Sequence, residues 1–156
     1  MEKVAHGIHI SKDTWIDELY LIHLRNNNVI FSHETSLFLH GLMEREPSQI
    51  TVTVEYGYNA SHLVKRGICV VTAIDSLYNI GKSTAKTNFN HTVIVYDMER
   101  TICDIIRSKD KMDPQVFQTA MKKYMSSNKK KLPNLMRYSS IFRIENTVRT
   151  YTEVML

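Results

Sequence analysis

Glycine and proline are scarce in this sequence: five glycines and three prolines in 156 residues, with two cysteines and a single tryptophan. No two glycines lie close enough to form a dinucleotide fingerprint, and no Gly-x-Ser-x-Gly elbow presents a nucleophilic serine. Cys69 and Cys103 are far apart and sit in apolar stretches, so reduced core thiols are expected ahead of a disulfide. Neither has a histidine near it in sequence that would make it a nucleophile. No apolar run approaches the ~18 residues that a membrane-crossing helix needs. The opening residues Met1 to Gly7 lack the apolar core of a signal peptide, so a cytoplasmic location is expected.

What is present is the balance of a globular chain, 43% apolar and 23% charged, which predicts a packed core rather than disorder. The net charge of +4 is unevenly divided. Residues 1–106 carry nine Lys/Arg against twelve Asp/Glu, a net of −3, and residues 107–156 carry eleven against four, a net of +7. Such a concentration of positive charge favours a polyanionic partner, nucleic acid first.

Periodicity predicts a mixture of strands and helices. Val4, Ile8 and Ile10 read as one short strand, followed by a helix over 13–25 capped by Ser11 or Asp13, with Trp15, Leu19, Ile22 and His23 on one face. Asn26 to Asn28 end it. Ser32 is the expected cap of a helix over 33–40 anchored by Leu37, Phe38 and Leu42 and ended by Gly41. Ile50 to Val54 alternates as a strand. A short helix over 61–66 follows, and then Ile68 to Ile74, the most apolar strand and on that ground the expected centre of the sheet. Leu77 to Gly81 reads as a turn or a single helical turn, and strands near 83–88 and 91–96 as a hairpin. Asp97 caps a helix over 98–108, with Ile102, Cys103, Ile105 and Ile106 buried and Arg100 paired with Asp104. Asp113-Pro114 starts the next helix, whose stripe is Val116, Phe117, Ala120, Met121, Tyr124 and Met125. Pro133 opens another helix, and a last one carries Ile144, Val148, Tyr151, Val154 and Met155. The expected class is α+β: a small mixed sheet with helices over 1–108, and a basic helical subdomain over 109–156 packed on it.

Seven histidines invite a search for metal. His33 and His40 are seven apart, whereas a zinc peptidase helix needs two imidazoles four apart around a glutamate, so both are expected to be structural or surface histidines and no metal site is assigned. Asp97, Glu99 and Asp104 could in principle gather magnesium, but no lysine follows a strand carboxylate as a metal nuclease would want. Their expected roles are helix cap, first-turn charge and partner of Arg100 or Arg107. No catalytic residue and no cofactor are assigned. The basic stretch remains: Lys122, Lys123, Lys129, Lys130, Lys131, Arg137 and Arg143 are the candidate nucleic-acid-binding residues, able to neutralise phosphates without reading bases.

The segments Ala5 to Ile10, Phe31-Ser32-His33-Glu34-Thr35-Ser36-Leu37 to Leu42, Thr51 to Val54, Gly57-Tyr58-Asn59 and Val95-Tyr96-Asp97-Met98-Glu99-Arg100-Thr101-Ile102-Cys103-Asp104 to Arg107 together resemble the AbiEi family. These are antitoxins of bacterial abortive-infection, type IV toxin–antitoxin systems. The resemblance runs from about residue 4 to the C-terminus. It implies a non-enzymatic antitoxin domain that counters a nucleotidyltransferase-like toxin, with or without direct contact. It also implies engagement of operator DNA, since family members usually repress their own operon through an N-terminal winged helix-turn-helix. Residues 4–10 would correspond to the last strand or exit of that module, whose helical part has no counterpart here, so operator reading by a recognition helix is not implied for this chain. A transcriptional autoregulator is the alternative, and a metal-dependent nuclease a more distant one.

Overall fold

Strand β3 (Ile30–Phe31) is only two residues long, yet it is the middle strand of a five-stranded mixed sheet. The computed structural model describes residues 17–156 in full and, before them, the backbone of strands β1 (Glu2–Ala5) and β2 (Ile8–Ile10). Those two strands form an antiparallel pair, where the sequence suggested a single strand. The expected caps Ser11 and Asp13 and the expected core residue Trp15 lie outside the described residues.

The sheet contains β3, β4 (Thr51–Glu55), β5 (Cys69–Ala73), β6 (Lys82–Lys86) and β7 (Thr92–Tyr96), in the order β5-β4-β3-β7-β6. β3 is antiparallel to β4 and parallel to β7, β4 and β5 are parallel, and β6 and β7 are antiparallel. The expectation that residues 68–74 form the central strand is wrong, because β5 lies at an edge. Hydrophobic content did not decide the order. The brief β3 is wholly buried, Ile30 on one face and Phe31 in the core of the other, while the side chains of β5 are only half covered. A helix, α3 (Ser61–Lys65), connects β4 to β5 and lays the second strand parallel beside the first, as strand-helix-strand units do.

Helix α1 (Glu18–Arg25) begins later than its periodicity implies. Asp17 caps it, accepting from the Tyr20 N–H at 3.2 Å. The same carboxylate accepts from the Thr87 hydroxyl at 2.5 Å and meets His91 Nδ1 at 2.7 Å, tying α1 to the β6–β7 hairpin. Helix α2 (His33–Leu39) ends as predicted at Gly41, at φ +75°, with the Leu42 N–H returning to the Leu37 carbonyl. Its start differs from expectation: the Ser32 side chain makes no cap bond but faces inward, where Thr53 Oγ1 donates to it at 2.8 Å. Helix α4 is a single turn (Asp75–Tyr78).

His33, the first residue of α2, has φ +52°. Burial holds its imidazole below the usual pKa; the Asp104 carboxylate opposes this, and Arg100 and Arg107 reinforce it. The unfolded chain therefore takes up a proton near the ordinary histidine pKa that the folded chain resists, so stability present above that value is lost as pH falls. Urea unfolding should give a lower stability at about pH 5 than at about pH 7, and His33→Asn should narrow that difference.

Helix α5 (Met98–Arg107) lies between the sheet and the rest of the chain, and every residue from Glu99 to Ile106 is buried. Beyond a single 3₁₀ turn (Lys109–Lys111) come α6 (Pro114–Ser126), α7 (Leu132–Ile141) and α8 (Glu145–Met155). One core joins Leu37, Ile102 and Ile105 to Phe117, Met121, Tyr124, Leu135 and Val148, so the C-terminal helices pack on α2 and α5. A second core lies against the other side of the sheet around Ile22, Phe31, Val52, Leu63 and Val95. The architecture is α+β, a mixed sheet with helices followed by a helical C-terminal segment. Val154 does not join the core as its periodicity suggested and is 78% exposed. Cys69 and Cys103 are free thiols, and burial pushes the Cys103 thiol up to about 12, so it stays protonated. Among the described residues no helix is long and apolar enough to cross a membrane.

Candidate nucleic-acid interface

The amphipathic pattern of α6 turns Phe117, Met121 and Tyr124 inward and leaves Lys122 exposed. Asp113 caps this helix, accepting from the Gln115 N–H at 2.8 Å, with Pro114 following at its first position. The polar stretch 127–131 then links α6 to α7 and carries Lys129, Lys130 and Lys131.

This link is held by a buried acid. Glu99, 3% exposed, accepts through Oε2 from the Tyr124 hydroxyl at 2.7 Å and from the Lys131 main-chain N–H at 2.9 Å. Burial and the Glu99 carboxylate push the Tyr124 hydroxyl pKa upward, so it remains a donor. Sequence reasoning missed this role by taking Glu99 as a first-turn charge. The available signals were that Glu99 shares a helix face with Cys103 and Ile106, and that a tyrosine in an apolar stripe needs a partner for its hydroxyl.

The seven candidate residues meet different fates. Lys122, Lys129, Lys131, Arg137 and Arg143 are exposed and have no acidic partner among the described residues. Lys130 is half-buried, its Nζ donating to the Ser127 carbonyl at 3.0 Å. Lys123 is paired with Glu44 of the front part of the chain at 2.9 Å. The guanidinium of Arg137 lies 5.3 Å from the Tyr138 ring centre. Arg143, at φ +61°, follows the end of α7. Since α7 spans ten residues, or about 15 Å, Arg143 and the three-lysine link lie at opposite ends of that helix. Lys122, Lys129, Lys131 and Arg137 are thus the free charges along α6, the link and α7 among the described residues.

The three carboxylates considered for metal do not converge. Asp97 caps α5 through the Arg100 N–H at 2.8 Å and accepts from the Tyr138 hydroxyl at 2.8 Å. Glu99 holds the α6–α7 link, and Asp104 is gripped by Arg100 and Arg107. Burial raises the Asp97 pKa, its hydrogen bonds from Arg100 and Tyr138 opposing the shift. Among the described residues no group of three or more His, Cys, Asp or Glu side chains is placed to hold a metal ion. His40 Nε2 meets the Tyr96 carbonyl at 2.7 Å, a structural use.

The described geometry is that of an α+β protein with a cationic helical surface. Compared with protein-family models and with curated proteins, the chain matches none.

Proposed function

We infer that this chain is a non-enzymatic antitoxin of a bacterial type IV, abortive-infection system, resident in the cytoplasm and opposing a nucleotidyltransferase-like toxin, with nucleic-acid affinity along its basic helices. The antitoxin half of this reading rests on the motif resemblance in residues 31–42 and 95–107. The nucleic-acid half rests on one observation: the α6–α7 link is fastened from inside by Glu99 while the Lys129 and Lys131 side chains are left exposed. Cations on a fixed main chain lose less freedom on meeting phosphates than cations on a mobile tail.

Two experiments test the two halves. Co-expression of the chain with the cognate toxin should restore growth, and no rescue would remove the antitoxin assignment. In DNA binding, the variant Lys129→Glu/Lys130→Glu/Lys131→Glu should lose affinity uniformly across sequences. The slope of log affinity against log salt should shrink by about 2–3. Binding and slope unchanged by that variant would remove the surface. Operator binding without growth rescue would favour the autoregulator.

A further inference from the structure

A cavity of about 380 Å³ opens between the sheet and the C-terminal half of α5, away from the lysine link. It is lined by His33, Thr53, Val71, Thr72, Arg100, Asp104, Arg107 and Ser108 among others. Its size is at the lower end of the range of small-molecule sites, about 300–1,000 Å³. We propose that this cavity binds a phosphate group, as the free ion or as a small monoester, through His33 and Arg107.

The charge balance favours an anion. Among the lining residues two guanidiniums face a single carboxylate. Asp104 is already taken: Arg100 Nε donates to both its oxygens at 3.1 and 3.2 Å, and Arg107 Nη1 lies 3.4 Å from Oδ1. Arg100 commits Nε to that carboxylate and Nη1 to the carbonyls of Leu77 and Ile80. Arg107, with its side chain 42% exposed, is the cation with capacity left. Its guanidinium stacks on the Phe142 ring at 4.6 Å, which orients the fork without consuming donors.

His33 contributes a fixed neutral donor. Thr53 donates to Ser32 Oγ, and Ser32 is completely buried. A buried hydroxyl needs an acceptor for its own proton, and the one beside it is His33 Nδ1 at 3.1 Å. Ser32 therefore donates to Nδ1, so the neutral ring carries its proton on Nε2, which has no hydrogen-bond partner among the described residues. The strained backbone at φ +52° places this ring at the cavity wall, and strain of this kind gathers where side-chain placement matters. Ser108, just after α5, lines the same space. Polar groups from α2 and from the end of α5 thus border the cavity from two separate elements.

The test is an NMR titration of the full chain with sodium phosphate and, separately, with adenosine monophosphate, following the His33 ring and the Arg107 Nε–H. Both signals should shift saturably. His33→Asn retains an acceptor for Ser32 and tolerates positive φ but lacks the Nε2 donor; Arg107→Gln removes the charge. Each should weaken binding by roughly tenfold or more, as for loss of a hydrogen bond to a charged group, while the exposed Lys82→Ala leaves it unchanged. Tighter binding of the nucleotide than of phosphate assigns the ester, and equal binding assigns the free ion. Absence of saturable shifts at both residues, or affinity untouched by both substitutions, overturns the proposal. Should His33→Asn fail to fold, the half-exposed Arg107 decides the outcome alone.

Discussion

Arg100→Ala should destabilise the fold by about 3–5 kcal/mol, the usual consequence of removing one partner from a buried ion pair. The guanidinium is buried, with 3% side-chain exposure, as is its partner Asp104. It holds four elements together. Its Nε grips Asp104, and its Nη1 donates to the carbonyls of Leu77 at 2.6 Å and Ile80 at 2.8 Å. Its plane lies 3.9 Å from the Tyr96 ring centre and 4.7 Å from that of Phe142. Removal leaves the buried Asp104 carboxylate with only the longer Arg107 contact at 3.4 Å, strands two carbonyls and opens a void between two rings. Arg100→Lys should rescue little, since an ammonium cannot reproduce the fork or the stacking. Replacing both partners, Arg100→Met with Asp104→Leu, should cost less than Arg100→Ala alone because no buried charge is left uncompensated. Urea unfolding measures all three. A loss below about 1 kcal/mol for Arg100→Ala would mean that the pair is not the buried link described here.

Gly81→Ala should be the next most damaging change. Gly81 has φ +80°, and a Cβ there would stand 2.5 Å from Arg100 Cβ and 3.0 Å from Asp97 Oδ1. The Gly81 carbonyl accepts the Asp97 N–H at 2.7 Å, so the backbone is pinned where α5 begins and cannot easily retreat. The left-handed backbone alone costs about 1–2 kcal/mol for a non-glycine residue, and overpacking adds about 1–3 kcal/mol. Gly67 separates the two contributions: it has φ +82°, yet a Cβ would meet nothing within 4 Å. Gly67→Ala should therefore show the backbone cost alone. Equal losses at the two positions in thermal or urea unfolding would show that the contact with Arg100 relaxes freely.

Local patterns in the sequence determined much of this molecule. Asp97 and Asp113 cap the helices that follow them, Gly41 terminates α2, the β6–β7 hairpin turns at residues 88–91, and Arg100 pairs with Asp104 four residues on. Each depends on interactions spanning a few residues, which spacing records directly. The concentration of cations after residue 106 is likewise a property of composition. Only the tertiary structure decided that the two-residue β3 is central and the longer, more apolar β5 an edge, because order in a sheet follows from how the connections run. It alone paired Lys123 with Glu44, buried Glu99 beneath the lysine link, and joined Thr53, Ser32 and His33 into a relay at the wall of a cavity. Those partners lie 79, 32 and 21 residues apart at their widest in each case. A hydrogen bond is specific in space but leaves no period in the chain, so such distant pairings are legible only once the backbone has brought them within reach.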